Sequence, residues 1–226
     1  MDAETERLAR KAVDGRALDT VSGPRVRDEL LDLLAEVDVA DGVARLAELG
    51  LDRALHPALE ADPALAAGAA LGALDTGADR VLAVLAALAG GSPDDLGPWV
   101  EGLGLRASVR DRVLRAARSG PELCEALRVE RSPSELHELL GGEPPEALAL
   151  ALALGAPPAP VLRYVADLRE VRLEVTGAEL VEAGVAPSPA LGRALEETLR
   201  RKLDGEVSGH EEELRLALEL AGGVQR

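Results

Sequence analysis

Along almost the whole chain, apolar residues recur three and four positions apart, and most of them are alanine or leucine. That spacing gathers them on one face of a helix, and both residues favour the helical state. The 226 residues include no Phe, one Trp (Trp99) and one Tyr (Tyr164). Any core must therefore be assembled from aliphatic side chains on packed helices. One run resists this reading at first: "EALALALALG" (Glu146 to Gly155) alternates with the period of a strand. Ala and Leu lack β-branching, however, and the run exceeds a usual strand. It is read as a helix buried on several sides. The expectation is an all-α fold, an extended or curved array of about thirteen short helices.

Start and stop signals divide the array. "Val21-Ser22-Gly23-Pro24" opens a helix to about Val37, with Leu30, Leu33, Leu34 and Val37 on one stripe. Asp62-Pro63, Ser92-Pro93 and Ser132-Pro133 each place a capping residue before a proline suited to the first helical position. Asp95 and Glu135 stand where a capping box needs an acid. Gly90-Gly91 and Gly141-Gly142 end helices. The Ala-rich middle, "AALGALDTGADRVLAVLAALAGG", predicts closely approached helix hairpins, and "APPAP" (Ala156 to Pro160) is the best candidate boundary.

Charge and side-chain inventory exclude several functions. With 41 acidic and 25 basic residues the net charge is −16, which repels phosphates and anionic membranes at long range. Nucleic-acid contact must then be local. The single cysteine, Cys124, can form no intrachain disulfide and reads as a small buried hydrophobe. His56, His137 and His210 have no His or Cys at ligand spacing, and His210-Glu211-Glu212-Glu213 reads as acids at a helix start. There is no glycine-rich phosphate loop with a lysine, no nucleophile elbow and no Cys-X-X-Cys. Catalytic residues and metal ligands are therefore not expected. No apolar run reaches the roughly 20 residues of a membrane span, and "MDAETERLARKAVDG" lacks a signal-peptide core. The expectation is a cytoplasmic chain that does not engage membranes, with Trp99 as a core anchor.

Two stretches carry a resemblance. Asp2 to Glu36 contains an acid-Glu-Thr segment followed by Val21, Ser22, Arg25, Val26, Glu29 and Leu30. Leu173 to Glu219 contains Thr176-Gly177, Leu180, Gly184, Pro187, Pro189, Gly192 and Leu203-Asp204-Gly205. In this order and spacing they resemble the neck and tail of bacterial-type tRNA nucleotidyltransferases, the CCA-adding and A-adding enzymes, and of related poly(A) polymerases. The departures are Glu179 for an Asp and Ser188 for the middle glycine of Pro-Gly-Pro. The resemblance implies a neck-like region over 1–58, a body-like region over 59–160 and a tail-like region over 161–226. It implies tRNA or another structured RNA as partner. The catalytic head of that family, which uses Mg and ATP or CTP, is not represented, so no cofactor is expected in this chain. A fragment of a longer enzyme and a headless protein both fit. The latter would be an RNA-binding module, the specificity half of a split nucleotidyltransferase with a separate head, or a protein-interaction scaffold.

The tail offers the candidate RNA contact. Ser188-Pro189 reads as cap and first residue of a helix to about Asp204, and free N–H groups at such an end bind phosphate. Gly184 and Gly192 would admit a backbone closely, and Arg193, Arg200, Arg201 and Lys202 follow along the helix. A structural reading stands beside this one. Glu196–Arg200 and Glu197–Arg201 are spaced to pair, and Leu191, Leu195, Leu199 and Leu203 form a stripe to bury. In the neck-like motif, Ser22, Arg25 and Glu29 are expected to be structural, Arg25 pairing with Asp28 or Glu29.

Overall fold

The computed structural model describes residues 3–223; Asp2, at the head of the neck-like stretch, lies outside the described residues. Among them the backbone forms fourteen α-helices and no strand. The first eight are α1 (Ala3–Asp14), α2 (Gly23–Ala35), α3 (Val39–Glu48), α4 (Leu51–Leu55), α5 (Pro63–Thr76), α6 (Arg80–Ala89), α7 (Pro93–Gly102) and α8 (Ala107–Ala126). They are followed by α9 (Pro133–Leu140), α10 (Pro145–Ala153), α11 (Pro158–Arg163), α12 (Gly177–Glu182), α13 (Pro189–Leu203) and α14 (Gly209–Gly223). The chain groups into two units. One takes residues up to 129 with 143–162; the other takes 130–142 with 163 onward.

The alternating Ala-Leu run is the centre of the first unit. It is α10, and every residue from Glu146 to Ala151 is buried, packed among α5, α6 and α8. A helix apolar on all sides belongs inside a protein, and its strand-like alternation is immaterial there. Small residues let the backbones approach: a Cβ on Gly72 of α5 would lie 2.8 Å from the Ala149 carbonyl oxygen. Cys124 is buried, its Sγ 3.5 Å from the Leu154 carbonyl oxygen.

One charged group shares this core. Glu146 is 0% exposed. Its Oε1 accepts the Asp79 N–H at 3.0 Å, and both carboxylate oxygens accept from Arg112 of α8. Asp79 in turn caps α6 by accepting from the N–H groups of Val81 and Leu82. Asp62 caps α5 as expected, whereas Ser92 makes no capping hydrogen bond to α7.

The region of the neck-like motif departs from expectation in three ways. The helix from Gly23 stops at Ala35, not Val37, and Val37 is 97% exposed. Asp38 caps α3, accepting from the Asp41 N–H, so the chain must leave α2 two residues earlier. The guanidinium of Arg80 closes the α2 end by donating to the carbonyls of Leu34, Ala35, Glu36 and Val37. Secondly, Arg25 is exposed and pairs with neither Asp28 nor Glu29; Asp28 is taken by Arg27, which also reaches the Gly104 carbonyl. Ser22 stands at the N-cap of α2, with no side-chain hydrogen bond to it. Thirdly, Trp99 is half-buried, lining a cleft of about 230 Å³ with Val21, Val26 and Leu55. Gly23, between the motif's Ser22 and Arg25, has a steric reason: a Cβ there would sit 1.9 Å from the Gly102 carbonyl oxygen.

Candidate nucleic-acid interface

The candidate contact lies in the second unit, on α12, α13 and the turn joining them. Thr176 opens α12 with a full capping box: its hydroxyl accepts the Glu179 N–H, and the Glu179 carboxylate accepts the Thr176 N–H at 2.8 Å. Glu thus serves where the resemblance would place Asp, because the longer side chain closes the box. Gly184, at φ 98°, ends the helix; its N–H donates to Val181 and that of Val185 to Leu180. This is the two-bond helix stop that needs a left-handed residue. The chain then turns through Pro187 and Ser188 into α13. Beneath, Val175, Leu180 and Ala217 form a small core, with Leu173, Val185, Leu191, Leu195, Leu214 and Leu218 packed on it.

The amino end of α13 is open. Ser188 is at the N-cap position and makes no side-chain capping bond, and Pro189 has no N–H. A Cβ on Gly192 would meet nothing within 4 Å. Arg193 and Arg200 are exposed and seven residues apart, hence on one face. They line a groove of about 610 Å³ between α13 and α9, with Glu196, Glu197, His137 and Leu203. Burial, then the nearby Arg172, hold the His137 imidazole below its ordinary pKa.

Arg200, though exposed, and the remaining cations of α13 are engaged. Glu197 pairs with both Arg200 (2.9 Å) and Arg201 (3.1 Å), while Glu196 takes neither; Arg201 also reaches Glu206 at 3.3 Å. The expected Glu196–Arg200 pair is therefore replaced by one between positions three apart. Glu197 reaches both arginines from one turn below, the same favoured geometry. The expected leucine stripe shifts too: Ala194, Thr198 and Leu203 are buried, and Leu191, Leu195 and Leu199 are half-buried at its edges. Lys202 turns inward. Its Nζ lies 2.6 Å from Glu213 and 3.4 Å from Glu174, and its side chain is 19% exposed.

Glu213, read from the sequence as one of three acids at a helix start, is 0% exposed. Its carboxylate accepts the N–H groups of Glu174 (2.7 Å) and Val175 (3.2 Å) besides Lys202. Burial pushes this carboxyl up, and the Lys202 ammonium with the two N–H groups outweighs it, leaving the pKa below its ordinary value. Sequence reading had no signal for this pair, because Lys202 and Glu213 lie on different helices. Asp204 was legible only as part of Leu-Asp-Gly. Its carboxylate accepts the Ser134 N–H (2.9 Å) and hydroxyl (2.7 Å), tying the end of α13 to the start of α9. Leu203 beside it is buried and Gly205, at φ 79°, ends α13 by the same two-bond stop.

His210 joins α14 to α12 through Glu179, Nε2 to Oε1 at 2.7 Å. The hydrogen bond to Glu179 raises the His210 pKa, and the bonds from His210 and Thr176 lower Glu179 to about 2. The raised histidine stabilises the folded state fully below its unfolded pKa, about 6.5, and that gain is lost as pH rises through its folded value. The depressed carboxyl contributes above its unfolded pKa, about 4.3, and loses that contribution as pH falls toward 2. Both groups are solvent-accessible, so the effect is modest. His210 is expected to titrate above the ordinary histidine range by NMR, and Glu179→Gln to return it there. An unchanged titration in Glu179→Gln contradicts the contact.

Among the described residues no three His, Cys, Asp or Glu side chains converge as a metal site, and no helix is long and apolar enough to cross a membrane.

Comparisons with known proteins agree with this architecture. Residues 1–62 match a family described as "Probable RNA and SrmB-binding site of polymerase A". The A-adding tRNA nucleotidyltransferase of Geobacter sulfurreducens is 27% identical over 96% of this chain and 27% of its own length. The CCA-adding enzyme of Thermotoga maritima, solved in complex with tRNA, superposes with a TM-score of 0.79 over 99% of this chain and 57% of its own, at 24% identity. A CCA-adding enzyme in an apo form gives 0.75 over 96% of this chain and 55% of its own, at 26% identity. The chain therefore spans about a quarter of the A-adding relative's length and somewhat over half of the solved chains. Sequence relative, matched family and fold neighbours converge: the chain is similar to part of the tRNA nucleotidyltransferases and shares the all-α fold of the solved CCA-adding enzymes over nearly its whole length.

Proposed function

We propose that this chain binds tRNA, or RNA of like shape, through the open amino end and outer face of α13, as the RNA-side region of a cytoplasmic tRNA nucleotidyltransferase-type protein. The nucleotide-adding chemistry, with Mg and ATP or CTP, belongs to a head outside it. The observation that carries the reading is one arrangement: an uncapped helix start with Gly192 clear of neighbours, followed by Arg193 and Arg200 on the same exposed face. The positive end of the helix and guanidinium groups so placed can recognise a sugar–phosphate backbone, not bases; Pro189 has no N–H and the Leu191 N–H is taken by the Ser188 carbonyl, so the arginines carry most of the contact. Gly184 sets the approach and Ser188 leaves the helix end uncovered, while Arg201 adds charge at the far end. Lys202 serves the fold in this reading. Only one Trp and one Tyr are present, so shape recognition suits the chain better than base stacking.

Arg193→Glu with Arg200→Glu is expected to weaken tRNA binding at least about tenfold and to flatten the dependence of log K on log salt by about 1–2. Fluorescence anisotropy with labelled tRNA over a salt series measures both. No saturable binding by the parent chain at low salt overturns the proposal. The net charge of −16 favours a second reading, a scaffold for a basic protein. Under it, the double charge reversal leaves RNA affinity where it was.

A further inference from the structure

At about 100° per residue, Ala64, Ala67, Leu71 and Leu74 fall on one side of α5, away from the buried Ala66, Ala69 and Ala73. Ala64, Leu71 and Leu74 are exposed, the two leucines by 65% and 76%, and Ala67 is half-buried. Gly68 carries the same side across to α10: a Cβ there would lie 3.0 Å from that of Ala153. The one charge in the 14 residues of α5 is Asp75, near its end. Other solvated faces of this chain are charged; that of α8 holds Arg112, Arg115, Arg118 and Glu122. Two leucines standing mostly in water, one turn apart on a nearly uncharged face, mark a contact surface.

The order of residues along that face indicates what covers it. Small side chains come first and large ones after, so the face is its own complement when reversed. An antiparallel two-fold at the level of Ala69 brings position 64 opposite 74 and position 67 opposite 71, and each pair is one alanine against one leucine. That is the isologous contact a two-fold requires, with each leucine standing over the small residue of the other copy. Charge agrees with a copy as occupant. With a net charge of −16, two chains can meet only where neither is charged, and a basic or anionic partner finds almost nothing on this face to pair with. Reversal also sets Asp75 at the positive start of the partner's α5. The acids already at that start are engaged: Asp62 accepts from the Ala64 and Leu65 N–H groups, and Glu60 pairs with Arg53. A helix of 14 residues, about 21 Å, buries less than the roughly 800 Å² per partner of a standard interface, so association in the micromolar range or weaker is expected.

We propose that the outward face of α5 is a self-association surface on which a second copy of this chain packs its own α5 antiparallel. The proposal does not rest on the RNA reading, which uses α13. The test is sedimentation velocity of the whole chain from about 5 to 500 µM over a salt series. A monomer–dimer equilibrium is expected that tightens as salt rises, because salt screens the repulsion of two −16 chains and the contact holds no ion pair; salt acts the other way on a phosphate contact. Leu71→Lys should weaken the dimer at least about tenfold, although it lowers the net negative charge. Ala67→Glu should do the same, and an equimolar mixture of the two variants should associate within about threefold of the parent, since positions 67 and 71 face each other. Val129→Lys, at an exposed valine on another element, should leave the equilibrium where it was. Circular dichroism confirms that each variant is folded. A monomer at every concentration and salt, a dimer that loosens with salt, equal loss in Val129→Lys, or no recovery in the mixture overturns the proposal. Dimer dissociation by tRNA in Arg193→Glu/Arg200→Glu assigns the face to RNA and overturns it too.

Discussion

Arg112→Met is expected to destabilise the first unit by about 3–5 kcal/mol, measured as a fall in the urea midpoint without a large change in slope. The reason is the wholly buried Glu146. Its carboxylate would keep only the Asp79 N–H as a donor, deep among α5, α6 and α8. The reciprocal change should cost less. Glu146→Met removes the charge itself and leaves Arg112, whose side chain is 45% exposed, free to hydrate. What remains is the orphaned Asp79 N–H, about 1–3 kcal/mol. The double variant Arg112→Met/Glu146→Met should recover most of the loss seen with Arg112→Met alone. A cost below about 1 kcal/mol for Arg112→Met, the range of a surface pair, sinks the argument.

Lys202→Met is the second large effect. Glu213 has 0% exposure, and it keeps two backbone N–H donors when the ammonium is gone, so the cost should be near the lower end, about 3 kcal/mol. The second unit has a small core, so a loss of this size should register as an earlier unfolding transition. This bears on function. A Lys202 variant that no longer binds RNA would have lost its tail fold, and says nothing about a phosphate contact. Arg200→Met has no such ambiguity: its partner Glu197 is part-exposed and retains Arg201, so stability should change by under about 0.5 kcal/mol. Lys202→Arg, which keeps the charge, should keep most of the stability. If Lys202→Met unfolds at the parent's denaturant concentration, the inward-turned lysine is wrong.

The sequence disclosed most of the fold because its signals were local. Helical spacing, Asp62 before Pro63, and Ser132 with Glu135 each act within one turn, and each behaves as its chemistry predicts. The Ala-Leu run was resolved by side-chain type over alternation, and α10 is buried from Glu146 to Ala151. What failed was competition between neighbouring signals. Val37 fits the α2 stripe, but Asp38 caps the next helix, and a cap takes precedence over one apolar contact. Ion pairs were legible only within a helix, and even there Glu197 took the arginine assigned to Glu196. Glu146–Arg112 and Glu213–Lys202 were invisible because they span 34 and 11 residues between separate helices. At the candidate interface the glycines and the exposed arginines could be read from the sequence. Which cation serves the fold could not.

The division of the second unit into two chain segments has a consequence for its synthesis. Ser134 and the Asp204 that anchors it are 70 residues apart, and the segment between them includes 143–162, which completes the first unit. At about 5–20 residues per second, α9 would wait roughly 4–14 s on the ribosome for its partner helix. An eight-residue helix does not hold on its own in water. Leu136 and Leu140, buried in the finished protein, would stay uncovered throughout that interval. Slow codons after residue 162 would prolong it.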